Sequence, residues 1–141
     1  MMIRLGLFAS LAVSGVIHAY LYINGYRYIP TVGPAFLLQG SVFCALAVLI
    51  LVGGPQWLRW AGGLLSVGTL IAFVLSRTVG LFGFTERGWD PAPYAVLSVV
   101  AELITVALCV LDQFSVYRAS SGRLPRNSST MSKSSRTLSS R

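Results

Sequence analysis

Acidic side chains are nearly missing from this chain. Glu86, Asp90, Glu102 and Asp112 are the only four, set against eleven Lys and Arg and one histidine in 141 residues. Charged residues make up 11% and hydrophobic residues 55%, whereas an ordinary soluble domain carries ~25% charged residues. So little charge cannot cover a water-facing surface, so a soluble globule is excluded and the main solvent must be lipid. The mean hydropathy of +0.72 agrees. Other absences exclude chemistry. With His18 as the single histidine, a bis-histidine haem within one chain is ruled out. Cys44 and Cys109 form no Cys-x-x-Cys pair and lie inside apolar runs, which argues against thiol redox work and for small packing residues. There is no zinc-ligand cluster, Gly-x-Ser-x-Gly elbow, Walker loop or acid dyad. The sequence therefore offers no catalytic residues and no metal ligands, and it leaves any cofactor undefined.

What is present is apolar and periodic. Four runs, about 5–23, 34–52, 58–79 and 93–113, each approach the ~20 residues that cross a ~30 Å hydrocarbon core. Lipid-exposed backbone must satisfy its own hydrogen bonds, so each run should be a helix. The expected fold is all-α: a four-transmembrane-helix bundle over residues 1–117, followed by a disordered C-terminal tail over 118–141. Gly53-Gly54-Pro55 reads as a tight turn, and Pro34 and Pro93 sit where a helix start tolerates a missing N–H. Trp57, Trp60, Trp89 and the tyrosines around 20–28 read as interfacial belts.

Arg4, the first apolar run and Ala19 have the outline of a secretory signal. The Ile17-His18-Ala19 site is poor and the run continues past it, so the segment is expected to stay as a span.

Six of the eleven basic residues lie in the last 24 positions, from Arg118 to Arg141. Placing both termini in the cytoplasm puts eight basic residues inside and three (Arg27, Arg77, Arg87) outside, the arrangement the positive-inside rule favours for a multi-pass plasma-membrane protein. The tail is rich in Ser, Arg and Thr, a composition that does not sustain a packed core. Its expected partner is anionic lipid, at about 1 kcal/mol per basic residue near the surface, and not nucleic acid. Beyond the bilayer itself, a membrane-protein partner or a homo-oligomer is open.

Glu102 is the most informative residue. It falls deep in the fourth run, where a carboxyl must be protonated, paired or beside water. Ser98, Glu102, Thr105, Cys109 and Asp112 succeed one another at helical spacing, forming one polar stripe that should face the bundle interior. Ser10, Ser14 and His18 make a weaker stripe on the first helix. By depth alone His18, Gln39 and Arg77 ring the outer half of the bundle with Glu102 as its floor, a candidate ligand-binding set. Each has a plainer reading: a structural hydrogen bond for Glu102, a hydrogen-bonded core histidine for His18, snorkelling or a salt bridge to Glu86 or Asp90 for Arg77. The segment 80–91, with its glycines, aromatics and Glu-Arg pair, is expected on the outer interface or folded over the bundle as a lid.

His18, the Gly-Tyr-Arg-Tyr-Ile-Pro stretch at 25–30 and the Ser-Arg-Thr-Val-Gly-Leu-Phe-Gly-Phe-Thr-Glu run at 76–86 resemble small four-helix membrane proteins of actinobacteria. The resemblance covers about a quarter of the chain and implies a topology without catalytic residues. The overall plan is also loosely similar to the DoxX-like proteins. The sequence leaves two functional classes: a non-enzymatic accessory or interaction component, or a carrier or redox-associated protein that holds a small lipophilic or protonatable ligand around Glu102 and His18.

Overall fold

The computed structural model describes residues 1–121. Four helices succeed one another: α1 (Met2–Leu21), α2 (Val32–Leu51), α3 (Gln56–Thr78) and α4 (Tyr94–Ser121). All four are long and apolar enough to cross a membrane. The expected all-α four-span architecture is what the chain adopts, and the protein is a multi-pass membrane protein in its build. A π-helical turn, Tyr22–Tyr26, extends α1. α4 runs eight residues beyond the expected end at Gln113, because no Gly or Pro interrupts it between Pro93 and Gly122; loss of hydropathy ends a span without ending a helix. The first four residues of the expected tail, 118–121, thus continue α4, and the rest of that expectation lies outside the described residues.

The chain reverses at Gly53, whose φ of 98° is open to glycine and closed to most side chains. Arg4 reaches across this turn and donates to the carbonyl oxygens of Ile50 (3.3 Å) and Leu51 (2.8 Å), where a cation complements the end of α2. This end lies opposite the one that carries the connections 27–31 and 79–93, and the two are labelled inner and outer after the orientation expected from the sequence.

α1 is the central helix, packed on both α2 and α4, while α3 packs mainly on α4. Lipid gives no hydrophobic drive for helix association, so close backbone approach supplies the contact energy. α1 and α2 cross at Gly15 and Gly40, where a Cβ on either residue would stand about 3 Å from the other's carbonyl oxygen (3.1 and 3.0 Å). Two apolar clusters result: an inner one around Leu7, Leu11, Phe43, Ile50 and Leu58, and an outer one of Ile17, Leu21, Tyr26 and Val32. Between them lies a polar layer. The lipid-facing surface is the reverse of a soluble protein's, with Val16, Leu38, Leu64, Ile71 and Leu103 all exposed.

Candidate functional site

The polar stripe of α4 faces inward: Ser98, Glu102, Thr105, Cys109 and Asp112 are all buried. Glu102 is 2% exposed, eight residues and so ~12 Å along the helix from Tyr94. Its Oε1 accepts hydrogen bonds from the Ser14 hydroxyl (3.1 Å) and from Gln39 Nε2 (3.3 Å), and Thr69 lines the same cavity from α3. One donor therefore comes from α1 and one from α2.

His18 sits one turn after Ser14, and its Nδ1 lies 2.8 Å from the Ser14 carbonyl oxygen. A carbonyl can only accept, so Nδ1 carries the hydrogen. That leaves Nε2 as the end that faces Glu102, 3.9 Å from Oε1. This is too long for a hydrogen bond and close enough for electrostatic attraction if the ring is protonated. Phe36 and Phe43 hold the imidazole by ring contacts at 5.2 and 6.3 Å.

Of the four residues singled out from depth, three converge. His18, Gln39 and Glu102 meet, while Arg77 lines the same cavity without joining them. The Arg77 guanidinium turns to the outer loop instead. It donates to Glu86 Oε2 (2.5 Å), to the Asp90 carbonyl oxygen (2.5 Å) and to the Gly88 carbonyl oxygen (3.1 Å), and it lies 4.1 Å over the Phe73 ring. Tyr26 donates its hydroxyl to Glu86 from the other side. The Glu86 N–H closes the clasp on the Ser76 carbonyl oxygen at 3.0 Å. Burial and the nearby Asp90 push the Glu86 carboxyl up to about 7, against the attraction of the Arg77 guanidinium. The loop 79–93 is thus fastened over the bundle, one of the two placements its composition leaves open.

Under this lid lies a cavity of about 90 Å³, with His18, Gln39, Thr69 and Glu102 toward its base and Tyr26, Phe84 and Glu86 toward its roof. It has room for several water molecules or a ligand of a few heavy atoms, and it is well short of the roughly 300–1,000 Å³ that drug-sized ligands occupy. Tyr26 stacks on Phe36 at 4.5 Å and meets Phe84 edge-on at 5.9 Å, so aromatic rings form part of the walls above the carboxyl.

Arg77→Lys should loosen the lid without unfolding the bundle. A single ammonium cannot reproduce the planar fork that spans three acceptors. Amide hydrogen exchange of the Glu86 N–H should speed up at least about tenfold, the equivalent of losing ~1.4 kcal/mol of local closure, while amides within α1 keep their rates.

Sequence reasoning misses three features of this architecture. In the sequence Ser14 is only part of a weak stripe, Thr69 only a small residue, and Arg59 only a basic residue of the inner side. Arg59 in fact donates to both carboxylate oxygens of Asp112, at 3.0 and 2.9 Å. The signal for this pair is present in the chain, since Asp112 ends the polar stripe and a carboxylate there needs a cation. No protein-family model, curated protein or solved structure matches this chain.

Proposed function

We propose that this protein binds a small protonatable ligand, of the class of short organic amines, in the lidded cavity of the outer half of the bundle, acting as a carrier or binding component of the membrane. The observation that carries the reading is Glu102: a carboxyl 2% exposed, on the wall of a cavity, with neutral donors on it and no fixed cation among its described contacts. His18 at 3.9 Å is the nearest titratable cation. An ammonium group would supply the missing charge-assisted hydrogen bond, and the aromatic rings in the walls favour a cation by their quadrupoles. The cavity size selects a few heavy atoms over a bulky lipophile. The non-enzymatic accessory reading has no comparable site behind it. The basic-residue count, eight against three, supports a plasma-membrane orientation with both termini cytoplasmic, which places the lid outside.

Glu102→Gln should weaken amine binding roughly tenfold to a hundredfold, the cost of losing a hydrogen bond to a charged group. It should leave the melting temperature of the detergent-purified protein nearly unchanged, because an amide fills the same space. Native mass spectrometry and calorimetric titration with methylamine and ethylamine provide the test. A wild-type protein that binds neither amine, or a variant that binds both as well as wild type, would overturn the reading.

A further inference from the structure

Directly beneath Glu102, toward the inner end, lies a second polar layer that the amine cavity does not use. Two antiparallel pairings fix how α3 faces α4, Arg59 with Asp112 and Gly63 with Cys109, and in the same register Thr69 and Glu102 line one cavity. The same register sets Ser66 opposite Thr105. On the other side Thr105 meets Ser10 at 2.8 Å, just as Glu102 meets Ser14 at 3.1 Å. Two layers of oxygens therefore stack inside the bundle, Ser14, Thr69 and Glu102 above, Ser10, Ser66 and Thr105 below. Successive layers are three residues apart on α4, or ~4.5 Å.

The hydroxyl protons in these layers are largely committed elsewhere. Ser10 donates to the Leu7 carbonyl oxygen (3.3 Å) and Thr69 has the Ser66 carbonyl oxygen at 2.9 Å. Ser14 donates to Glu102 (3.1 Å), and Thr105 donates to Ser10 Oγ (2.8 Å) with the Ala101 carbonyl oxygen as its other acceptor (2.9 Å). With one proton each so placed, these hydroxyls still hold unused lone pairs. Ser66 adds the independent observation: it is fully buried, and its hydroxyl oxygen has no hydrogen-bond partner. A native interior rarely leaves such a group unsatisfied, and an unseen ion is one of the standard reasons. The centre is thus rich in acceptors and carries one carboxyl, with no excess of donors.

We propose that the oxygens of Ser10, Ser66, Thr69, Thr105 and Glu102 form a binding site for one dehydrated monovalent cation of sodium size. Hard cations take uncharged and charged oxygens of this kind, and a ~4.5 Å layer spacing brackets an ion held at the ~2.3–2.6 Å oxygen contact of a calcium-sized cation. Sodium has that radius with half the charge. One carboxyl balances one positive charge, whereas a divalent ion would be left uncompensated in lipid. Among the described residues no three His, Cys, Asp or Glu side chains gather to hold a metal ion, and the oxygens named here are hydroxyls and one carboxyl, the hard donors that alkali cations take. The site does not depend on an amine filling the cavity above, although the two cations would compete for the same carboxyl.

The test is equilibrium binding of radioactive sodium to the full chain in detergent, with the melting temperature monitored in sodium, potassium and choline chloride at equal ionic strength. Saturable sodium binding and a melting temperature several degrees higher in sodium than in the other two salts are expected. Ser66→Ala and Thr105→Val should each weaken sodium binding at least about tenfold, one lost ligand being worth ~1.4 kcal/mol or more. In choline, Ser66→Ala should be as stable as wild type or more so, since it removes an unsatisfied hydroxyl. Equal behaviour in all three salts, or sodium binding that survives both substitutions, would mean that the layer holds water or nothing and would overturn the proposal. Amine binding measured in sodium-free buffer is a separate readout, so failure of one reading leaves the other standing.

Discussion

Gly15→Val should be the most damaging single substitution in the bundle, lowering its stability by about 3 kcal/mol or more, the upper range for forcing extra atoms into a packed core. A Cβ at Gly15 would stand 2.8 Å from Cys44 Sγ, 3.1 Å from the Cys44 amide nitrogen and 3.1 Å from the Gly40 carbonyl oxygen. Two of those neighbours are backbone and cannot rotate away. α1 and α2 would have to separate, and they hold Ser14, His18 and Gln39 beside the crossing, so ligand binding should fall with stability. Gly40→Val should behave alike, because its Cβ would meet the Gly15 carbonyl oxygen at 3.0 Å and the Ala19 amide nitrogen at 3.1 Å. Gly68 supplies the control. Nothing lies within 4 Å of a Cβ added there, so Gly68→Ala should be neutral or stabilising by ~0.5–1 kcal/mol through helix propensity. Denaturant or thermal unfolding in mild detergent reads all three. Equal effects at positions 15 and 68 would show that the crossing does not rest on backbone proximity.

Arg59→Leu should cost about 2–4 kcal/mol, toward the lower side of the penalty for breaking a buried ion pair, because the pair is partly open to its surroundings. The Asp112 side chain is 9% exposed and that of Arg59 22%. Removing the guanidinium leaves the carboxylate in a poorly solvated place with both oxygens unpaired. Arg59→Leu/Asp112→Leu should recover most of the loss, since the penalty belongs to the orphaned charge and not to the absence of the pair. The cycle is measured by unfolding of the four proteins in one detergent. A double variant no more stable than Arg59→Leu would argue that the pair contributes attraction in its own right. Arg59 also holds Cys109, whose thiol donates to its carbonyl oxygen at 3.1 Å, so the Arg59 side chain should be replaced without altering the local helix; leucine meets that need.

The number of spans, the turn at Gly53 and the inward direction of the α4 stripe are all legible in the sequence, while the loop at 79–93 is left between two placements. Each depends on residues close together in the chain: run length against bilayer thickness, glycine at a reversal, polar spacing along one helix. The described part of α4 runs to Ser121, past the apolar run that ends near Gln113, because hydropathy marks where lipid ends and not where a helix does. Depth also places His18, Gln39 and Arg77 around one half of the bundle with Glu102 as its floor, and depth is a local property. Which of them touch is not. Glu102 and Ser14 stand 88 positions apart, and Tyr26 and Glu86 stand 60 apart; their meeting depends on the rotation and offset of whole helices, which backbone contacts such as Gly15 against Gly40 decide. Tertiary structure alone settled that Arg77 serves the lid, that Arg59 neutralises Asp112, and that the Ser66 hydroxyl is buried without a partner. A helix specifies its own faces from its own sequence, but the face it meets belongs to another helix, and the register between them is fixed only when all four are packed.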